Sequence, residues 1–95
     1  MLEIPSSISI AGRRYTVTVK RIPPKHQNAI GLSDHRAKKI LLSPILSQEM
    51  QREVFWHEVM HCVNYTLAEE WEIEEFTLNR LALGLWEVIR QVYER

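Results

Sequence analysis

A single cysteine, Cys62, stands among the 95 residues. No disulfide can close within such a chain, which fits a reducing cytoplasm. Long apolar runs are missing too. The strongest are as short as the one over 40–42, so no segment is expected to span a membrane. The opening stretch, MLEIPSSISIAGRRYT, lacks a basic start followed by an apolar core and does not read as a signal peptide. Basic residues never run more than two together, which argues against a nucleic-acid-binding tail. Glycine and proline are both absent between Ile45 and Leu83, so nothing there breaks a helix.

The charges that are present balance to zero, yet they are spread unevenly. Residues 1–46 carry eight Lys or Arg against Glu3 and Asp34, whereas residues 47–95 carry ten Glu against four Arg. A basic half can meet nucleic acid or an acidic substrate, and Arg13, Arg14, Lys20, Arg21, Lys25, Arg36, Lys38 and Lys39 would carry that role. The simpler reading is that lysines protect sheet edges and glutamates solvate helices. No recognition motif accompanies the basic residues, so a nucleic-acid partner ranks last.

Hydrophobic periodicity divides the chain in two. Ile8 and Ile10, then Tyr15, Val17 and Val19, alternate at period two around Gly12, which predicts a β-hairpin turning over 11–13. Pro23 and Pro24 stop the second strand. A third strand is expected over 40–42, with 29–32 as its partner. From Ser47, a suitable N-cap, the pattern becomes helical, with one helix over about 48–66 and another over about 72–93. Residues 67–71 carry the turn between them. Strands followed by helices predict one α+β domain over 1–95.

Residues 55–65 read FWHEVMHCVNY. His57 and His61 lie four apart, hence on one helical face, where both imidazoles can reach one metal ion. Glu58 follows the first histidine and projects beside the ion's open position, where a carboxylate can take a proton from water. A shuffled chain of this composition would contain HExxH about once in seventy, so context must decide. Here the motif is mid-helix. Phe55, Trp56, Val59, Met60, Cys62, Val63 and Leu67 form a broad apolar side. Glu53, His57, Glu58, His61, Asn64 and Tyr65 gather opposite, with Met50 and Val54 among them. A buried helix with such a strip faces a cleft.

A zinc site needs a third protein ligand. Cys62 points about 100° away from His61, into the apolar side, and reads as core. His26 and His35 fall in the strand region, where surface or loop positions are commoner for histidine than ligation. The second helix has an expected core stripe of Leu78, Leu81, Leu85, Val88, Ile89 and Val92. Glu74 projects onto the middle of that stripe, and Glu75 onto its edge with Trp71, Ala82 and Trp86. Helical geometry slightly prefers Glu74. Glu72 reads as a first-turn glutamate favoured by the helix dipole.

The HExxH helix followed by a helix-opening glutamate resembles a minimal gluzincin, the HExxH…E class of zinc metallopeptidases that includes thermolysin. It is more closely similar to small metallopeptidase-like proteins of bacteriophages and prophages, and to anti-repressor peptidases of mobile elements. The likeness extends over nearly the whole chain: Gly31 to Asp34, then KILLSP from Lys39, LSQEMQRE from Leu46, HEVMH, and the glutamate pair before LALGL at 81–85. The resemblance implies an α+β zincin-like fold, with a small sheet, an active-site helix and a long C-terminal helix. It implies His57, His61 and Glu75 as zinc ligands, Glu58 as general base, and Asn79 as support for Glu75. A peptide or protein would be the substrate. The strand at 39–43 is then expected to edge the cleft, and Tyr65 and His35 are weak candidates for stabilising an oxyanion. The rival from another class is a non-catalytic zinc-binding regulatory protein. Glu58 discriminates the two, because a purely structural site has no use for it.

Overall fold

A computed structural model describes residues 3–26, 28–67 and 73–93. It is α+β, as expected: β1 (Ser7–Ile10), β2 (Arg13–Val19), β3 (Gly31–Asp34) and β4 (Lys39–Leu42) precede α1 (Gln48–Leu67) and α2 (Glu75–Tyr93). Among the described residues no helix is long and apolar enough to cross a membrane.

The hairpin forms where alternation places it, with Ile10 opposite Arg13. Ala11 and Gly12 both take positive φ, 51° and 80°, as a two-residue type I′ turn requires. Ile10, Tyr15 and Val17 are buried, but Val19, at the strand's end, is exposed. The other strands correct the expected edge. The sheet runs β1-β2-β4-β3, with β4 parallel to β2 and antiparallel to β3. The strand at 39–42 is therefore internal and does not edge the cleft. Its partner starts two residues later than expected, at Gly31, and β3 is the edge. Ile40 and Leu42 are fully buried, which suits a strand paired on both sides.

Ser47 caps α1: its Oγ accepts from the Met50 amide at 3.2 Å, and its carbonyl from the Gln51 amide at 2.8 Å. Val54, Phe55, Val59 and Cys62 of α1 pack on Ile10, Tyr15, Val17, Ile40 and Leu42 of the sheet. Cys62 is core, as expected, and burial pushes its thiol above the usual range. The apolar side of α1 differs slightly from the expected one. Leu67 is 65% exposed, whereas Val54 and Glu58, assigned to the cleft strip, are buried. The face of α1 next to the strip is closed by β3, which no periodicity within the helix announces.

The largest correction concerns α2. Its buried residues are Leu78, Ala82 and Trp86, while Leu81, Leu85, Val88 and Val92 stay 39–56% exposed. The richest apolar stripe is thus not the packed one. Ala82 is buried, and the Trp86 ring lies nearly parallel to Trp56 with centroids 6.4 Å apart. A small residue and a stacked aromatic pair outweigh the number of leucines. Leu78→Ala should accordingly cost about 2–5 kcal/mol, and Leu81→Ala well under about 1 kcal/mol. Urea melts of the two variants check this, and equal costs would put the expected stripe back in the core.

Candidate metal centre

The residues that pack α2 on α1 also place its first glutamate. Positions 75, 78, 82 and 86 fall on one helical face. Glu75 heads that face and is carried to the middle of α1. There the His57 Nε2 lies 2.9 Å from Glu75 Oε1, and the His61 Nε2 lies 3.1 Å from Glu75 Oε2. The two histidine Nε2 atoms are 3.2 Å apart. Zinc–ligand bonds of about 2.0–2.1 Å at tetrahedral angles put neighbouring ligand atoms about 3.3 Å apart. The three side chains form a triangle with spacings near this value, the carboxylate meeting each histidine through a different oxygen. His57, His61 and Glu75 could hold a metal ion.

Glu74 is not part of the cluster. Its carbonyl accepts from the Leu78 amide at 3.0 Å and its Oε1 from the Thr77 hydroxyl at 3.0 Å, so it caps α2 from outside the helix. The preference of helical geometry for Glu74 rests on a helix that begins earlier and buries another face. Glu72 and Trp71 lie outside the described residues. No protein-family model, curated protein or solved structure matches this chain. The geometry of the site therefore carries the functional argument.

A cleft of about 680 Å³ opens over the three side chains. Glu58, Asn79, His35 and the edge strand β3 also line it. Glu58 does not join the triangle. It is 6% exposed, and the Ser33 hydroxyl donates to its Oε1 at 2.6 Å. Ser33 thus fixes the carboxylate's direction, a role that nothing in the sequence marks, since the two residues are 25 apart. Asn79, one turn after Glu75, also lines the cleft. His26 sits in a short 3-10 turn, Pro24–His26, and is not among the residues that line the cleft.

Gly31 is the second residue that sequence reasoning missed. A Cβ there would lie 2.5 Å from Val54 Cγ1 and 2.8 Å from Glu58 Oε2. Only a residue without a side chain lets β3 approach α1 closely enough for Ser33 to reach Glu58. Gly31→Ala is expected to destabilise the fold by about 1–3 kcal/mol through overpacking. Denaturant titration measures it, and a stable, unperturbed variant would show that the strand is free to shift.

His35 belongs to the cleft but not to the triangle. Its ring stacks on Tyr65, with centroids 4.1 Å apart and planes 4° from parallel, and its Nδ1 is 3.3 Å from the Tyr15 hydroxyl. Burial first, then His61 and Lys38, hold its pKa below the usual imidazole value. Burial raises the Tyr15 phenol.

Proposed function

We propose that this protein is a zinc-dependent metallopeptidase with a zincin-like fold, in which Glu58 acts as general base. The observation that carries the reading is the convergence of His57, His61 and Glu75 on one point, beside a fourth residue, Glu58, held in place without joining them. Two imidazoles and a carboxylate form the donor set of zinc hydrolases that keep a coordination position open. A zinc ion held there would supply Lewis acidity and bring the pKa of a water near 7.

The remaining work falls to the chain's own residues. Glu58 takes a proton from the attacking water and passes it to the leaving amine. Ser33 holds the carboxylate through Oε1, beside the cleft that Glu58 lines. The edge strand β3 offers unpaired backbone groups beside the cleft, where an extended peptide can add as a further strand. The short strand Gly31–Asp34 thus supplies both a substrate rail and a base holder.

The test is elemental analysis of protein purified without chelator and then equilibrated with zinc, followed by mass spectrometry of a peptide mixture incubated with the loaded protein. One tightly held zinc per chain and cleavage that a chelator stops are expected. Absence of stoichiometric metal would remove the reading. Zinc uptake without any cleavage would favour the non-catalytic regulatory protein.

A further inference from the structure

Helix α2 carries two apolar faces, and among the described residues only one is covered. Leu78, Ala82 and Trp86 are buried. Leu81, Leu85, Val88 and Val92 lie about 90° around the helix from them. These four are 39–56% exposed. Their spacing of four, three and four is that of the a and d positions along a coiled-coil seam. None of the four lines the metal-site cleft, to which α2 contributes Glu75, Asn79, Ala82 and Leu83. Positions 79 and 81 point about 160° apart, as do 83 and 85, so the stripe looks away from the cleft.

Two features say what covers the stripe. The first is its neutrality. Thr77, Gly84 and Gln91, seven apart, border one side of it and Ile89 the other. Between 77 and 92 the charged residues are Arg80, Glu87 and Arg90, and all stand about 110° or more from the stripe's centre. Charges flanking a seam are what select a different helix as partner. A neutral seam has no such selector, and it meets a copy of itself without like charges opposing one another. The second feature is Gly84. Glycine weakens a helix interior. Here its φ is not positive, and a Cβ would meet nothing within 4 Å, so the fold of one chain does not call for it. A missing side chain on the border of a seam lets a second backbone come close.

We propose that α2 pairs with α2 of a second copy of this chain, antiparallel across a two-fold axis, to give a homodimer with both clefts open. Leu81 of one copy faces Val92 of the other, and Leu85 faces Val88, so one patch supplies both sides of every layer. Antiparallel pairing sets the N-terminal end of each helix beside the C-terminal end of the other, as opposed helix dipoles favour. The four side chains expose on the order of 300 Å² in each copy, the size at which a contiguous apolar patch is often functional. Two copies bury less than the about 1,200 Å² of a stable interface, so the dimer is reversible, with a dissociation constant in the micromolar range or above. Pairing through this face is independent of the metal site.

Sedimentation equilibrium of the full chain, from low micromolar to near millimolar concentration, tests it. Wild-type protein should pass from monomer to dimer, equally in low and high salt, since no ion pair is involved. Leu85→Glu, which sets two charges in the central layers, should stay monomeric while its circular dichroism matches wild type, because the position is exposed. Phe76→Glu is the control. Phe76 is 66% exposed on the other side of α2, so this variant should dimerise as wild type does. Gly84→Gln should weaken association by about tenfold or more through overpacking, yet melt no lower than wild type as a monomer. A wild-type protein that is monomeric throughout would overturn the proposal. So would a dimer that survives Leu85→Glu, or one that Phe76→Glu abolishes equally well. The sense of pairing is read by oxidation. A mixture of Leu81→Cys and Val92→Cys chains should form the mixed disulfide faster than either variant links to itself, and the reverse order would refute the antiparallel arrangement.

Discussion

His57→Ala and His61→Ala are each expected to abolish stoichiometric zinc uptake, and Glu75→Ala to weaken it severely. The two histidines face each other at 3.2 Å and Glu75 meets each of them through a different oxygen, at 2.9 and 3.1 Å, so removing any corner leaves two donor residues at a site that needs three. The loss on Glu75→Ala should exceed the roughly 10–100-fold that follows removal of an outer hydrogen-bond partner of a metal site. Glu74→Ala is the control. Its carboxylate accepts from Thr77 and its carbonyl from Leu78, outside the triangle, so zinc affinity should stay within about a few fold. Competition with a chromogenic chelator measures all four. If Glu74→Ala proved the damaging change, α2 would have to be rotated by one residue, about 100°. Equal, small losses for both glutamates would mean that neither binds the metal and would redirect the search to His35, which shares the cleft.

Glu58→Gln should keep the zinc and lose turnover by about 10²–10⁴-fold, the usual worth of a general base. Glutamine matches glutamate in shape, and its amide oxygen can still accept from Ser33, so the buried position should tolerate it. What it cannot do is take a proton from water. Zinc content and peptide cleavage must be measured on the same preparation, because the two readouts separate the roles. Loss of zinc on this change would make Glu58 a ligand and refute the assignment. Retained cleavage would mean that another group takes the proton.

Much of the site is legible in the residues alone. The spacing of His57 and His61 follows from the helix repeat, and α1 supplies that helix, from the cap at Ser47 to Leu67. Alternation around Gly12 locates the first hairpin, and Cys62 reads correctly as core. The third member of the triangle needs more. Local geometry prefers Glu74, and only the resemblance to gluzincins points to Glu75. Counting apolar residues on α2 fails because it ranks faces by hydrophobicity. The packed face is chosen by fit to the neighbouring helix, where Ala82 is buried and Trp86 finds Trp56.

The sequence by itself determined the local geometry: which segments are strands, where the first helix begins, and that two histidines share one of its faces. These depend on backbone periodicity and capping, which act over a few residues. Only the tertiary structure decided that β3 rather than β4 forms the sheet edge at the cleft, that Ser33 holds Glu58, that Tyr15 reaches His35, and that Glu75 meets both histidines. Each of those joins residues 14 or more apart in the chain, or sets the order of strands. Such pairings are fixed by which surfaces fill one another's gaps, such as the space left by the missing side chain of Gly31, and no local pattern carries that information.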